Sequence, residues 1–249
     1  MSRSVRSSLK TPVDTVGSGS LAITELPFET EQLRTALGCF LDQTYQLQTG
    51  EGVRLGSIKW GVYAFFDYDN EPIYVGQTKE RLGTRIRRHL TNQRTDAVAM
   101  NVLDPFEVHS IAVWPLPDFE TRSAKDAEAI AHLNALESAV FCQLLEKSEF
   151  NAVLNEKDPP SAAVSVEIPT HVQGSIVPES VRRLRSHPDL RIARRAATLA
   201  KLAQVISERK VQKGLRRTLL AQAKRLQALA ARRLAHSAEF SSEDNDDDV

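Results

Sequence analysis

The stretch Lys59-Trp60-Gly61-Val62-Tyr63-Ala64-Phe65-Phe66 is rich in aromatic and β-branched residues and reads as a strand. Asp67 to Pro72 supplies turn residues, and Ile73-Tyr74-Val75 makes a short second strand that ends at Gly76. Together they predict a β-hairpin with one tyrosine on each strand. Two strand tyrosines near one another usually serve packing, so the hairpin alone assigns no chemistry. What stands around it decides more.

Downstream, Leu82 to about Thr91 reads as a helix with a strongly basic face, and Glu107 to Trp114 as a third strand ended by Pro115 and Pro117. Ser123 to Lys147 is rich in Ala and Leu and predicts a long helix, with Ser123 as its cap and Asp126 in its first turn. Phe150 to Leu154 leads into Asn155, and Pro159-Pro160 closes the unit. Upstream, Leu33, Leu37, Phe40 and Leu41 fall at helical spacing and predict a helix over 29–43, after which Gly50, Gly52 and Gly56 break the chain.

With these elements in place, the sequence resembles the GIY-YIG nuclease family. Gly61-Val62-Tyr63 and Tyr74-Val75-Gly76 are similar to its two name motifs, which lie on neighbouring antiparallel strands. The family then has an Arg on the next helix, a Glu in a later helix and an Asn shortly beyond; Arg85, Glu137 and Asn155 stand in that order here. The resemblance implies an α+β fold: a small three-stranded antiparallel sheet flanked by helices, followed here by a basic helical C-terminal extension. It also implies hydrolysis of DNA phosphodiester bonds with a divalent cation, Mg²⁺ or Mn²⁺.

A finer likeness comes from Arg85 and His89, four residues apart and so on one helix face. This spacing is similar to the type II restriction enzymes of the family, above all the branch cutting CCGCGG. Two departures stand beside it. Gln77 occupies the position where that branch has Lys, and Asp67–Glu71 replaces its longer insertion between the motif strands. A restriction role would imply double-stranded DNA as substrate, two copies of the site on a palindromic target and hence a homodimer, and a cognate methyltransferase. A repair, recombination or mobile-element nuclease, and a non-catalytic DNA-binding protein, remain open alternatives.

The expected roles follow from what phosphodiester hydrolysis needs. Glu137 would hold the metal ion, since a hard cation takes carboxylate oxygen and keeps most of its waters. Arg85 would stabilise charge developing on the phosphate through its forked donors. Tyr63 would act as general base, provided that a phenol pKa of about 10 is lowered by a neighbour. Tyr74 would orient water or phosphate, His89 would accept or relay a proton, and Asn155 would hold backbone or phosphate geometry. Gly61 and Gly76 would let backbone approach closely. Lys79, Arg81, Arg87, Arg88 and Arg94, clustered with Arg85, would contact the DNA backbone.

Composition organises the rest of the 249 residues. Residues 1–25, rich in Ser, Thr and Gly, read as a disordered N-terminus, 26–160 as the nuclease domain and 161–177 as a linker. Residues 178–236 are a helical extension with sixteen Lys or Arg against three acids, and 237–249 are a disordered tail with six acids and no base, within a formal net charge of +0 overall. The basic stretch predicts a polyanion partner, with Arg182, Arg183, Arg194, Arg195, Arg216 and Arg217 as a second clamp on DNA. Cys39 and Cys142 lack metal-ligand spacing and read as reduced packing residues of a cytoplasmic protein. No stretch approaches the roughly 18 apolar residues of a membrane span.

Overall fold

The computed structural model describes residues 28–90, 103–155, 159, 165–208, 210–211 and 213–243. The N-terminal stretch 1–25 and Arg94 lie outside the described residues. Among the described residues, no helix is long and apolar enough to cross a membrane.

Helix α1 (Phe28–Leu41) leads into a small hairpin, β1 (Thr44–Gln46) and β2 (Gly52–Arg54), which turns through Gly50 at φ 82°. The motif strands follow as β3 (Gly61–Phe66) and β4 (Pro72–Thr78), then α2 (Leu82–Leu90), β5 (Ser110–Pro115) and α3 (Ala127–Lys147). The cap of α3 is Asp126, whose carboxylate accepts from Ala129 N at 3.0 Å, and not the earlier Ser123. The chain ends in α4 (Glu179–Arg185), α5 (Pro188–Glu208) and α6 (Lys213–Glu243). The break between the last two falls just before Gly214, and α6 continues past residue 236 to Glu243.

The expected antiparallel sheet is present, and it carries a fourth strand, β6 (Val172–Ser175), inside the stretch that composition reads as linker. Strand order is β4-β3-β5-β6, antiparallel throughout. Val172-Gln173-Gly174-Ser175 has no hydrophobic alternation to announce a strand. It becomes one because β5 would otherwise leave a row of peptide groups unpaired. Gly174 permits this, since a Cβ there would stand 2.9 Å from the Phe40 ring of α1.

Every residue of β3 is buried, because helices cover both faces of the sheet. Tyr63, Phe65, Ile73 and Ile111 point into one core with residues of α1, α2, α5 and α6. Val62, Ala64, Phe66, Val75 and Trp114 point into the other, against Leu133, Leu136 and Val140 of α3. The C-terminal helices are therefore built onto the sheet, with Leu202, Ile206 and Leu215 in the same core as Ile73 and Leu154.

Their arginines have a partner inside the chain. Asp67, at the hairpin turn, is 1% exposed and accepts from Arg195 at 2.8 Å and from Arg225 and Arg191. Asp69 takes Arg191 at 2.8 Å, while Glu107, 6% exposed, takes Arg194 at 2.8 Å and Arg195 at 3.0 Å. Arg194 and Arg195 are thus tied to these carboxylates, which removes them from the expected DNA clamp. The reason is desolvation: four guanidinium groups this close to a core must meet carboxylates rather than solvated phosphates. Arg182 and Arg183 remain on the surface beside Glu179, and Arg216 and Arg217 are exposed. The cysteines differ from expectation as well: Cys39 and Cys142 are free and exposed, on the outward sides of their helices.

Candidate active site

Register places the two motif tyrosines on one face. Tyr63 pairs with Gly76 and Phe65 with Tyr74, so period-two alternation points both phenols the same way. Helix α2 crosses that face and brings Arg85 and His89 over it. The Tyr63 hydroxyl, with its residue fully buried, lies 2.9 Å from His89 Nε2 and accepts from Arg85 Nε at 3.3 Å. Tyr74 closes the group, its ring centroid 5.0 Å from that of His89 and 6.2 Å from that of Tyr63. His89 is 3% exposed, so this helix histidine faces the site and not solvent.

Gly76 makes room for this arrangement. A Cβ at that position would stand 2.8 Å from the Tyr63 hydroxyl and 2.8 Å from Tyr74 Cε1. Gly61 has the same character, since a Cβ there would meet the carbonyl oxygen of Trp114 at 2.8 Å. Gly76→Ala is expected to displace the phenol and to slow any reaction through Tyr63, by up to about a hundredfold, the cost of a misplacement of about 1 Å. Overpacking adds a stability loss of about 1–3 kcal/mol. Single-turnover cleavage beside a urea melt checks both figures, and a wild-type rate refutes the assigned close approach.

Glu137 arrives from the other face. Helix α3 presents it, 9% exposed, among Leu133, Leu136 and Val140. Burial pushes its carboxyl up to about 7, while the nearby Arg85 charge and a hydrogen bond from the Gln77 side chain pull the other way. Arg85 thus connects the two faces: it bonds Tyr63 on one side and sets the field at Glu137 on the other. In Arg85 itself burial opposes the charged form, and the contact with Tyr63 outweighs that and holds its pKa above the usual value.

The meeting place is the outer edge of β4, the last strand of the sheet. Asn155 grips that edge: its Oδ1 accepts from Val75 N at 3.1 Å and its Nδ2 donates to Val75 O at 2.8 Å. Leu154 N donates to Ile73 O at 2.9 Å, so the edge is covered as far as Val75. Asn155 is therefore a backbone clamp beside Tyr74, and α6 supports it, Thr218 donating to its carbonyl oxygen at 3.2 Å. Beyond Val75 an open groove begins, lined by Gln77, Thr78, Lys79, Glu80, Arg85 and Asn134.

Of the basic residues expected beside the site, Lys79, Arg81 and Arg87 are exposed. Arg88 is held by Glu80, its Nη2 donating to both carboxylate oxygens at 2.7 and 2.6 Å. Two groove residues escaped the sequence reading. Gln77 stood out only as a departure from the family pattern. Asn134 had a signal, since it lies three positions before Glu137 and so on the same helix face.

The donor set suits one hard cation. Glu137 offers carboxylate oxygen near Arg85, and among the described residues no group of three or more His, Cys, Asp or Glu could hold a metal ion. A cation there would keep most of its coordination as water, which is the habit of Mg²⁺.

No curated protein and no solved structure gives a match to this chain. Residues 59–119 match the family model described as the GIY-YIG catalytic domain; the match takes in both motif strands, Arg85, His89 and β5, while Glu137 and Asn155 lie beyond it. Over residues 59–119 the chain is thus similar to the GIY-YIG catalytic domain, which is a nuclease fold.

Proposed function

We propose that the protein is a metal-dependent endonuclease that hydrolyses DNA phosphodiester bonds at the groove beside β4. The observation that carries this reading is the convergence of Tyr63, His89 and Arg85 from one face of the sheet with Glu137 from the other. Tyr63 is the general base: it passes its proton 2.9 Å to His89 Nε2 and takes one from the attacking water. Arg85, held by Tyr63 through Nε, turns its terminal amino groups to the phosphate and opposes the charge that develops there. Tyr74 orients the water or the phosphate, and Asn155 fixes the strand that bears it. Lys79, Arg81 and Arg87 hold the flanking backbone of double-stranded DNA. Glu137 would hold Mg²⁺ or Mn²⁺, which as a Lewis acid supplies charge to the phosphate and to the leaving oxygen.

Among nuclease roles we favour a type II restriction-like or other defence enzyme, on the Arg85 and His89 spacing, over repair or mobile-element work. A homodimer and a cognate methyltransferase belong to that choice. The test is cleavage of plasmid DNA with Mg²⁺ by the full chain. EDTA is expected to abolish it. Tyr63→Phe, which keeps the ring in its buried slot and removes only the oxygen, is expected to slow it by about 10²–10⁴-fold. Discrete fragments support the restriction role, while nicking or smearing moves the enzyme toward repair. Binding without cleavage, across several divalent metals and on both methylated and unmethylated DNA, overturns the catalytic reading.

A further inference from the structure

We propose that Asn134 is a DNA-contacting residue, its side-chain amide donating to a phosphate of the strand that lies in the groove beside β4; this rests on the nuclease reading above. The groove, about 400 Å³, is bounded by the end of β4, by α2 and by α3, and has room for more than a single ion. Its side chains sort by what they can still offer. Thr78 Oγ1 donates to Glu80 O at 2.9 Å and accepts from Glu80 N at 3.0 Å, and the Glu80 carboxylate is taken by Arg88. Gln77 Nε2 donates to Asn134 Oδ1 at 2.8 Å, while Gln77 Oε1 is buried. The side-chain acceptors of the wall are thus occupied or turned inward.

What is left can only donate: the exposed Lys79 ammonium, the terminal amino groups of Arg85 and the NH₂ of Asn134. Asn134 is half-buried, and no described residue accepts from its Nδ2. Turning its amide over would set two NH₂ groups against each other, so the bond from Gln77 holds the donor end free. A wall of donors and cations without an open acceptor fits phosphate oxygens, which only accept, whereas base pairs mix donors with acceptors in the major groove. Asn side chains serve beside Lys and Arg as phosphate contacts. Half-buried Ile130 and buried Leu133 line the same groove and give the sugar an apolar surface. Arg85 faces the scissile phosphate, so Asn134 and Lys79 take the next one along the strand.

The experiment measures duplex binding by fluorescence anisotropy over a range of salt concentrations, with the full chain in EDTA to stop cleavage. An A·T-rich and a G·C-rich duplex are compared for wild type, Asn134→Ala, Asn134→Asp and Lys79→Ala. Asn134→Ala is expected to weaken binding by about tenfold or more, the usual loss for a hydrogen bond to a charged group, and on both duplexes alike. Its salt slope should match wild type, because an uncharged amide releases no counterion. Lys79→Ala should weaken binding and also lower the slope by about one. Asn134→Asp keeps the shape and sets a carboxylate where the donor was, so it should bind more weakly still. It also carries the test if the alanine variant fails to fold. Wild-type affinity in either Asn134 variant, or a loss confined to one duplex, overturns the phosphate contact. A wild type that binds neither duplex overturns the nuclease reading instead, and the two failures are thus told apart.

Discussion

The Glu137→Gln variant is expected to lose DNA cleavage and, in the same preparation, to be more stable than wild type above pH 7 when divalent cations are removed. Both effects come from one buried carboxylate. A cation held at the groove would be worth several kcal/mol to the transition state, and about 4 kcal/mol corresponds to a thousandfold in rate. Gln keeps the shape and loses the charge, so cleavage should fall by at least about that factor.

The stability half follows from burial, which pushes the Glu137 carboxyl from 4.5 to about 7. Between those values the folded protein binds a proton that the unfolded chain has already released. Stability therefore falls as pH rises through the window from 4.5 to about 7 and stays lower above it. Gln does not titrate, so this loss is absent from the variant. Thermal melts in EDTA at about pH 5 and about pH 8 read the difference directly, since linkage makes the pH slope a count of protons bound. Mg²⁺ should then raise the wild-type midpoint at the higher pH and leave the variant where it was. A variant that still cuts, or whose stability falls with pH as wild type does, sinks the assignment. The prediction also puts a physical reason behind the proposed site: a carboxyl is kept largely desolvated where a cation and a phosphate would meet it.

Local pattern revealed the hairpin, the basic helix and the Ala/Leu-rich helix, because each is written in consecutive residues. Helix periodicity put Arg85 and His89 on one face, while their grouping with Tyr63 was only what the family resemblance implied. Local pattern could not show that Glu137 comes within the field of Arg85 beside an edge strand; that depends on β4 being last in the sheet. Nor could it show Asn155 bonded to Val75 N and O, a contact across eighty positions. The basic extension misled for a related reason. A charge count records which sign is present and not where its partner lies, and Asp67 and Arg225 are 158 positions apart. Those arginines read as a surface for polyanions because the acids that neutralise them stand in the turn of the distant hairpin and just before β5.

Replacing Asp67 with alanine is expected to destabilise the protein by about 3–5 kcal/mol, the range for removing one partner of a buried ion pair. At this chain length that corresponds to a fall of about 10 °C in the midpoint. Three things are lost together. Arg195, Arg225 and Arg191 keep their charge with less to offset it, in positions 4%, 2% and 3% exposed. The turn loses the Oδ1 that accepts from Asp69 N at 2.8 Å and Glu71 N at 3.0 Å. Asn70, at φ 59°, is then left in a left-handed conformation with less to hold it. Because the same arginines fasten α5 and α6 to the hairpin, the loss should reach the site. Thr218 would release the Asn155 carbonyl, and Asn155 its clamp on Val75. Asp67→Ala should thus lower cleavage below the melting temperature, although Asp67 touches none of the reacting groups. Asp69→Ala is the matched control. Arg191 and Arg232 hold its carboxyl below the usual value against the opposing effect of burial, but it is partly solvated and should cost much less. Urea melts and single-turnover rates of the two variants together decide the matter. An Asp67→Ala protein as stable as Asp69→Ala would mean that the buried arginines find other partners, and that the C-terminal helices are held to the sheet by their leucines alone.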